Sequence, residues 1–282
     1  MKSELCIFDV PSATVMTVWR TGMLIEAPNW SRDGKFMIFN GEGLIWRLEL
    51  VEDAEPEQVD TGFAVNCNND HGISPDGKTL VISDKTEAGA SCIYTLPLDG
   101  GMPKRVTANV PSYWHGWSPD GETLVYAGQR PQSGQQEAVF DIYAMPVTGG
   151  KETRLTDGGR YHDGPDYTPD GEWIWFNSDR GGTMDLWRMR PDGGAKQQMT
   201  HDERVNWFPH PSPDGGRIVY LAYEEGVDGH PRDHEVELRM MDADGANVTT
   251  LIALFGGQGS INVPSWSPDS RRFAFMRYAR QA

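Results

Sequence analysis

Five short segments concentrate histidine, aspartate, asparagine and aromatic residues: Asn66-Cys67-Asn68-Asn69-Asp70-His71, Ser112-Tyr113-Trp114-His115, Tyr161-His162-Asp163-Gly164-Pro165-Asp166, Asn206-Trp207-Phe208-Pro209-His210 and Ser260-Ile261-Asn262. Four of the seven histidines lie in them. Imidazoles and carboxylates that converge from separate segments can hold a divalent ion, here Mn, Zn or Ca, with His71, His115, His162 and His210 as the nitrogen ligands. An ion so held would acidify a water or a carbonyl-adjacent proton, with His115 or His162 as general base, which is the chemistry of a lyase or hydrolase. Without a metal, the same segments form a polar ligand site. Asn69, Asp70, Asp163, Asn206 and Asn262 would hydrogen-bond a small polar molecule, and Tyr113, Trp114, Tyr161 and Trp207 would stack on a sugar ring or a base. A third reading is structural: such side chains also satisfy backbone groups along an exposed strand edge.

What positions these segments is a repeat. One phrase recurs six times, as Ser31-Arg32-Asp33-Gly34, Ser74-Pro75-Asp76-Gly77, Ser118-Pro119-Asp120-Gly121, Thr168-Pro169-Asp170-Gly171, Ser212-Pro213-Asp214-Gly215 and Ser267-Pro268-Asp269-Ser270. Its aspartates are 43, 44, 50, 44 and 55 residues apart, the period of a four-stranded propeller blade. Proline presets φ, aspartate bonds the backbone ahead of it, and glycine accepts positive φ, so each phrase is a tight turn between two strands. Apolar runs such as Thr123-Leu124-Val125-Tyr126 and Trp173-Ile174-Trp175-Phe176 follow the turns as buried strands. Third strands such as Phe140-Asp141-Ile142-Tyr143-Ala144-Met145 come next, then a glycine turn and a short outer strand.

A lone four-stranded meander cannot bury both faces, whereas six in a ring can. The expected architecture is therefore an all-β, six-bladed propeller forming a single domain over residues 1–282. Blades one to five occupy 23–62, 63–107, 108–156, 157–200 and 201–252. The sixth takes its inner strands from 253–282 and its outer strands from 1–22, where Glu4–Val10 and Thr14–Trp19 read as two strands with no first pair of their own. The ring is thus expected to close through its N-terminus.

The Ser-Pro-Asp-Gly phrase, the Asp141-Ile142-Tyr143-Ala144-Met145 type of strand and the Gly149-Gly150 turn before Arg154-Leu155-Thr156 resemble the WD-like repeats of the TolB-like propeller superfamily. The resemblance covers essentially the whole chain and implies the fold. Members of that superfamily include Tol-system proteins, gating domains of prolyl-oligopeptidase-type peptidases, and oligogalacturonate lyases with a histidine-rich manganese site in the channel. It thus implies either a protein partner docked at the loop-rich face or a carbohydrate in the channel. No Gly-x-Ser-x-Gly elbow suggests a hydrolase serine. The repeats fill the sequence without the separate N-terminal domain of true TolB, so the propeller is read as standing alone.

In a meander the alternate connections lie on opposite faces of the ring. The repeat turns share one monotonous face. The five polar segments enter from the other, together with two long loops, Gln129–Val139 and Glu224–Glu235. His71 and His115 sit at the same offset from their repeat serines, which predicts similar depths in the channel. Trp30, Trp117 and Trp266 precede the repeat serine and read as blade packing.

Composition narrows the function classes. The net charge of −16, from 25 basic and 41 acidic residues, offers no basic footprint for nucleic acid. No apolar stretch approaches the roughly 18 residues of a membrane span. Three scattered cysteines, Cys6, Cys67 and Cys92, indicate no disulfide framework. Residues 1–20 have no signal-peptide pattern, so the expected location is cytoplasmic, or periplasmic if a signal segment precedes this sequence.

Overall fold

A computed structural model describes residues 3–131 and 139–280. The tip of the expected loop Gln129–Val139, residues 132–138, lies outside the described residues. Five four-stranded antiparallel sheets and one further sheet are arranged as six blades of a β-propeller. The innermost strands of blades one to five are Ile25–Trp30, Cys67–Ile73, Ser112–Trp117, His162–Tyr167 and Val205–Pro211. No helix among the described residues is long and apolar enough to cross a membrane.

The ring closes through the N-terminus. Ser3–Asp9 pairs antiparallel with Arg272–Tyr278, from Ser3 opposite Tyr278 to Asp9 opposite Arg272, and Thr14–Thr21 adds the outer strand. The innermost place of this blade is irregular. A single bridge joins Trp266 to Phe273, and the N–H groups of Ala274 and Met276 donate to the carbonyls of Ser265 and Ser260. Gly257 and Gly259 in the approach adopt positive φ, and Pro264 lacks a donor, so this stretch cannot form a continuous ladder. In blade five the outer strand Thr249–Gly257 runs past the boundary at 252 expected from the sequence, because the eleven-residue strand Arg232–Asp242 offers it a longer partner.

The repeat phrase is a self-contained hydrogen-bonded unit. In all six copies the Ser or Thr hydroxyl donates to the Asp Oδ1 at 2.5–2.8 Å. The same hydroxyl accepts the N–H five residues on, and the carboxylate accepts the N–H two residues beyond it. These bonds hold all six aspartates below their ordinary carboxylate range.

The turn glycines also serve the contact between blades. Pro75, Pro119 and Pro268 each lie within 4.0 Å of where a Cβ would stand on the turn glycine of the next blade. The phrase therefore links neighbouring blades as well as strands. The core consists of separate apolar clusters between blades, and Trp30, Trp117 and Trp266, each under 8% exposed, belong to three of them. All three cysteines are free and buried, and burial pushes the thiols of Cys6 and Cys67 up. A thiol reagent is expected to count three reactive cysteines in denatured, unreduced protein and none in native protein on the same timescale. A count of one would reveal a disulfide.

Candidate functional site

The innermost strands carry bulges near their entries, and the bulges aim side chains into the channel. In blade three His115 is the bulged residue, left out of the ladder between Trp114 and Gly116. In blade four the irregularity spans Asp163 to Asp166 and needs Gly164, whose φ is +58° and whose Cβ would stand 2.9 Å from Asn177 Oδ1.

The result is a buried network across the channel. His115 Nε2 lies 2.9 Å from Asp163 Oδ1, and its Nδ1 lies 3.4 Å from the carbonyl of Asn262. Asn262 Nδ2 donates to Asp70 Oδ1 and to the carbonyl of Asn69, both at 3.1 Å. Asn68 Nδ2 donates to the second Asp70 oxygen at 2.6 Å. On the outer side, His230 Nε2 lies 3.7 Å from Asp163 Oδ2 and 3.3 Å from the Tyr161 hydroxyl.

Electrostatics sort these groups. Burial alone would lower His115, but Asp163 and Asp70 bring it to about 8, so it is a cation at neutral pH. Burial opposes ionisation of Asp163 too, yet His115, His230 and the Gly164 N–H hold it below its ordinary range. Asp70 is raised by burial to about 6, against the lowering pull of His115 and of its bonds from Asn68 and Asn262. Burial keeps His230 low.

The structure thus brings together Asn69, Asp70, His115, Asp163 and Asn262 from the polar segments. His210 lies in the channel by another pairing, with Nδ1 3.1 Å from Asp166 Oδ2 and Nε2 2.7 Å from the Ile261 carbonyl. His71 and His162 are elsewhere. His71, directly opposite Ile82 in its ladder, is fully buried beside the backbone of Ala27 and Ile38, and burial lowers it to about 4. His162 is fully buried 3.8 Å from Asp141 of blade three and is also lowered to about 4 by burial. Trp114 is buried in the packing of blades two and three, where it fills the space beside Gly72. Asn206 is buried and donates to Asp202 at the blade margin. Tyr113 is half-buried, its ring centroid 6.0 Å from that of Phe140.

Above the network, blades three to five enclose a cleft of about 1080 Å³. Its aromatic wall is Phe140 stacked on Tyr161 at 4.5 Å, with Trp207 edge-on to Tyr161 at 5.3 Å. Asp179, Arg160, Gln129 and Asp228 supply polar groups. His230, on the loop Glu224–Glu235, packs 4.4 Å from Trp207 and joins this cleft to the channel network. Its signal in the sequence was a histidine in a long loop, with nothing local to show where the loop folds.

Among the described residues no three His, Cys, Asp or Glu side chains are placed to hold a metal ion. The reason is visible: His115 and His210 are engaged by aspartates and carbonyls, while His71 and His162 face blade interfaces. The donors do not fit a shared ion.

A family model for the TolB beta propeller domain matches residues 115–230. The chain is 54% identical over 278 residues to "Uncharacterized protein Atu1656" of Agrobacterium fabrum, covering 99% of this chain and 93% of that one. A solved structure of a putative TolB from Agrobacterium tumefaciens superposes with a TM-score of 0.95 at 54% identity, covering 100% of this chain and 99% of that chain. The Tol-Pal system protein TolB of Francisella tularensis is 27% identical over 94% of this chain, which spans 59% of that protein's length. By its repeats, its ring and these relatives, the chain belongs to the TolB-like β-propeller family.

Proposed function

We propose that the protein is a binding propeller whose loop-rich mouth takes a polar, ring-shaped ligand, a carbohydrate, between blades three and five. The observation that carries this is the cleft of about 1080 Å³ walled by the stacked Phe140–Tyr161 pair and rimmed by carboxylate and amide groups. Flat apolar rings beside hydrogen-bonding groups are the chemistry that holds a sugar's apolar face and its hydroxyls at once. The metal-dependent lyase or hydrolase version has less support, because His115 is already paired with Asp163 and His162 is sealed from the cleft.

A second reading is a polypeptide segment in the same cleft. It is favoured by a volume at the upper end of small-molecule sites, which run to about 1,000 Å³, and by the relative named as a Tol-Pal system protein. Calorimetric titration with cellohexaose, chitohexaose and maltohexaose tests the first reading. At least one is expected to bind saturably, and Tyr161→Ala is expected to weaken that binding about tenfold, ~1.4 kcal/mol. No saturable heat with any of the three would overturn it. Saturable binding of a basic, aromatic-containing decapeptide in their place would select the second.

A further inference from the structure

The channel has another opening on the face of the repeat turns, far from the cleft. Here the residue after the repeat Ser or Thr is proline in five copies and Arg32 in the first. Arg32 meets the architectural need with its stem alone: its Cβ and Cγ stand 3.6 and 3.7 Å from where a Cβ on Gly77 would be, as the prolines do in other blades. The guanidinium is surplus to that contact. It is nevertheless fixed, because Nε donates to the Ser74 carbonyl at 3.2 Å and Nη2 to the Ile73 carbonyl at 2.9 Å. Nη1 makes no such bond among the described residues, and Arg32 is exposed.

Arg32 faces a pocket of about 240 Å³ whose walls are rings: Trp117, Trp266, Tyr167 and the prolines of the neighbouring turns. The Trp266 indole N–H is spent on the His210 carbonyl, so that ring offers a stacking surface rather than a donor, whereas the indole N–H groups of Trp117 and Trp114, which line the same pocket, have no partner among the described residues. Asp166 lines the pocket as well, engaged through one oxygen by His210 and attracted by the charge of Arg32. At ~30 Å³ per water the volume equals about eight waters, the size of a single-ring acid.

We propose that this pocket binds a small aromatic carboxylate, whose carboxylate meets Arg32, whose ring lies among the tryptophan and proline faces, and whose hydroxyl donates to Asp166. A fixed arginine with a free N–H is suited to a planar carboxylate.

The probe is 4-hydroxybenzoate, titrated calorimetrically into the full chain. The expected result is saturable one-to-one binding with a Kd below ~1 mM, as the ligand's size permits. Benzoate is expected to bind several-fold more weakly, and 4-hydroxybenzyl alcohol, which lacks the carboxylate, at least tenfold more weakly. Arg32→Pro, which installs the residue of the other five turns, and Arg32→Gln are each expected to lose at least tenfold in affinity. Tyr161→Ala, on the opposite face, is expected to retain full affinity, which separates this site from the cleft. No saturable binding to the wild type, undiminished binding to Arg32→Gln, or equal binding of the alcohol would overturn the proposal.

Discussion

Deleting residues 1–20 is expected to convert a cooperative, soluble protein into one that aggregates or melts without a sharp transition. The deletion removes Ser3–Asp9 and most of Thr14–Thr21, leaving the outer edge of Arg272–Tyr278 unpaired. Leu5, Ile7 and Phe8 are each at most 3% exposed, so losing three large buried side chains costs roughly 5–9 kcal/mol at ~1.5–3 each. That is comparable with the entire net stability of a domain, about 5–15 kcal/mol. The damage also spreads, because Phe273 and Phe275 belong to a core shared with blade five, and the bared edge is a template for pairing with other chains. Thermal unfolding with light scattering is the measurement. A soluble truncation with an unchanged midpoint would show that the ring does not depend on this closure.

His115→Ala is expected to destabilise the fold by about 3–5 kcal/mol, because it strands the Asp163 carboxylate in a site only 9% exposed. Urea unfolding at pH 7 measures the loss, and a variant as stable as the wild type would remove the buried pair from the account. The pH dependence gives a second signature. His115 is raised in the folded state from 6.5 to about 8, so its contribution is fully present below about 6.5 and lost as pH rises through 8. The shift corresponds to about 2 kcal/mol. Asp70 is a carboxyl raised from 3.8 to about 6, so its contribution is present below 3.8 and lost as pH rises through 6. Between pH 6.5 and 8.5 the falling contribution is that of His115, while His71, His162 and His230, all lowered by burial, contribute stability that rises as the unfolded chain loses its imidazolium protons. The stability of the wild type relative to His115→Ala should therefore fall across that window, while the variant's own profile rises. A wild-type advantage over His115→Ala that stays constant or grows there would contradict the pairing.

Much of the fold was legible because the repeat turn is local. Ser, Asp and Gly in one phrase bond to one another and to backbone within five residues, so each copy announces a turn without reference to the rest of the chain. The count of turns gives the blades, and two N-terminal strands without a first pair give the closure. The long partner that carries the outer strand of blade five to Gly257 was less visible, since pairing lengths depend on a strand elsewhere in the sequence.

The site was legible as a set of segments and not as a set of directions. His71 and His115 stand at the same offset before their repeat serines, yet one bulged residue in blade three turns His115 into the channel, while a longer irregularity returns His71 to the ladder opposite Ile82. His162 and Asp163 are neighbours on one strand and point to opposite sides, the first to Asp141 of blade three and the second to His115. Residue types, spacing, blade count and the face on which polar segments gather were determined by the sequence alone. Which side chains meet, and hence which carry charge, was decided by the tertiary structure, because strand side chains alternate with period two and a single bulge reverses every assignment after it.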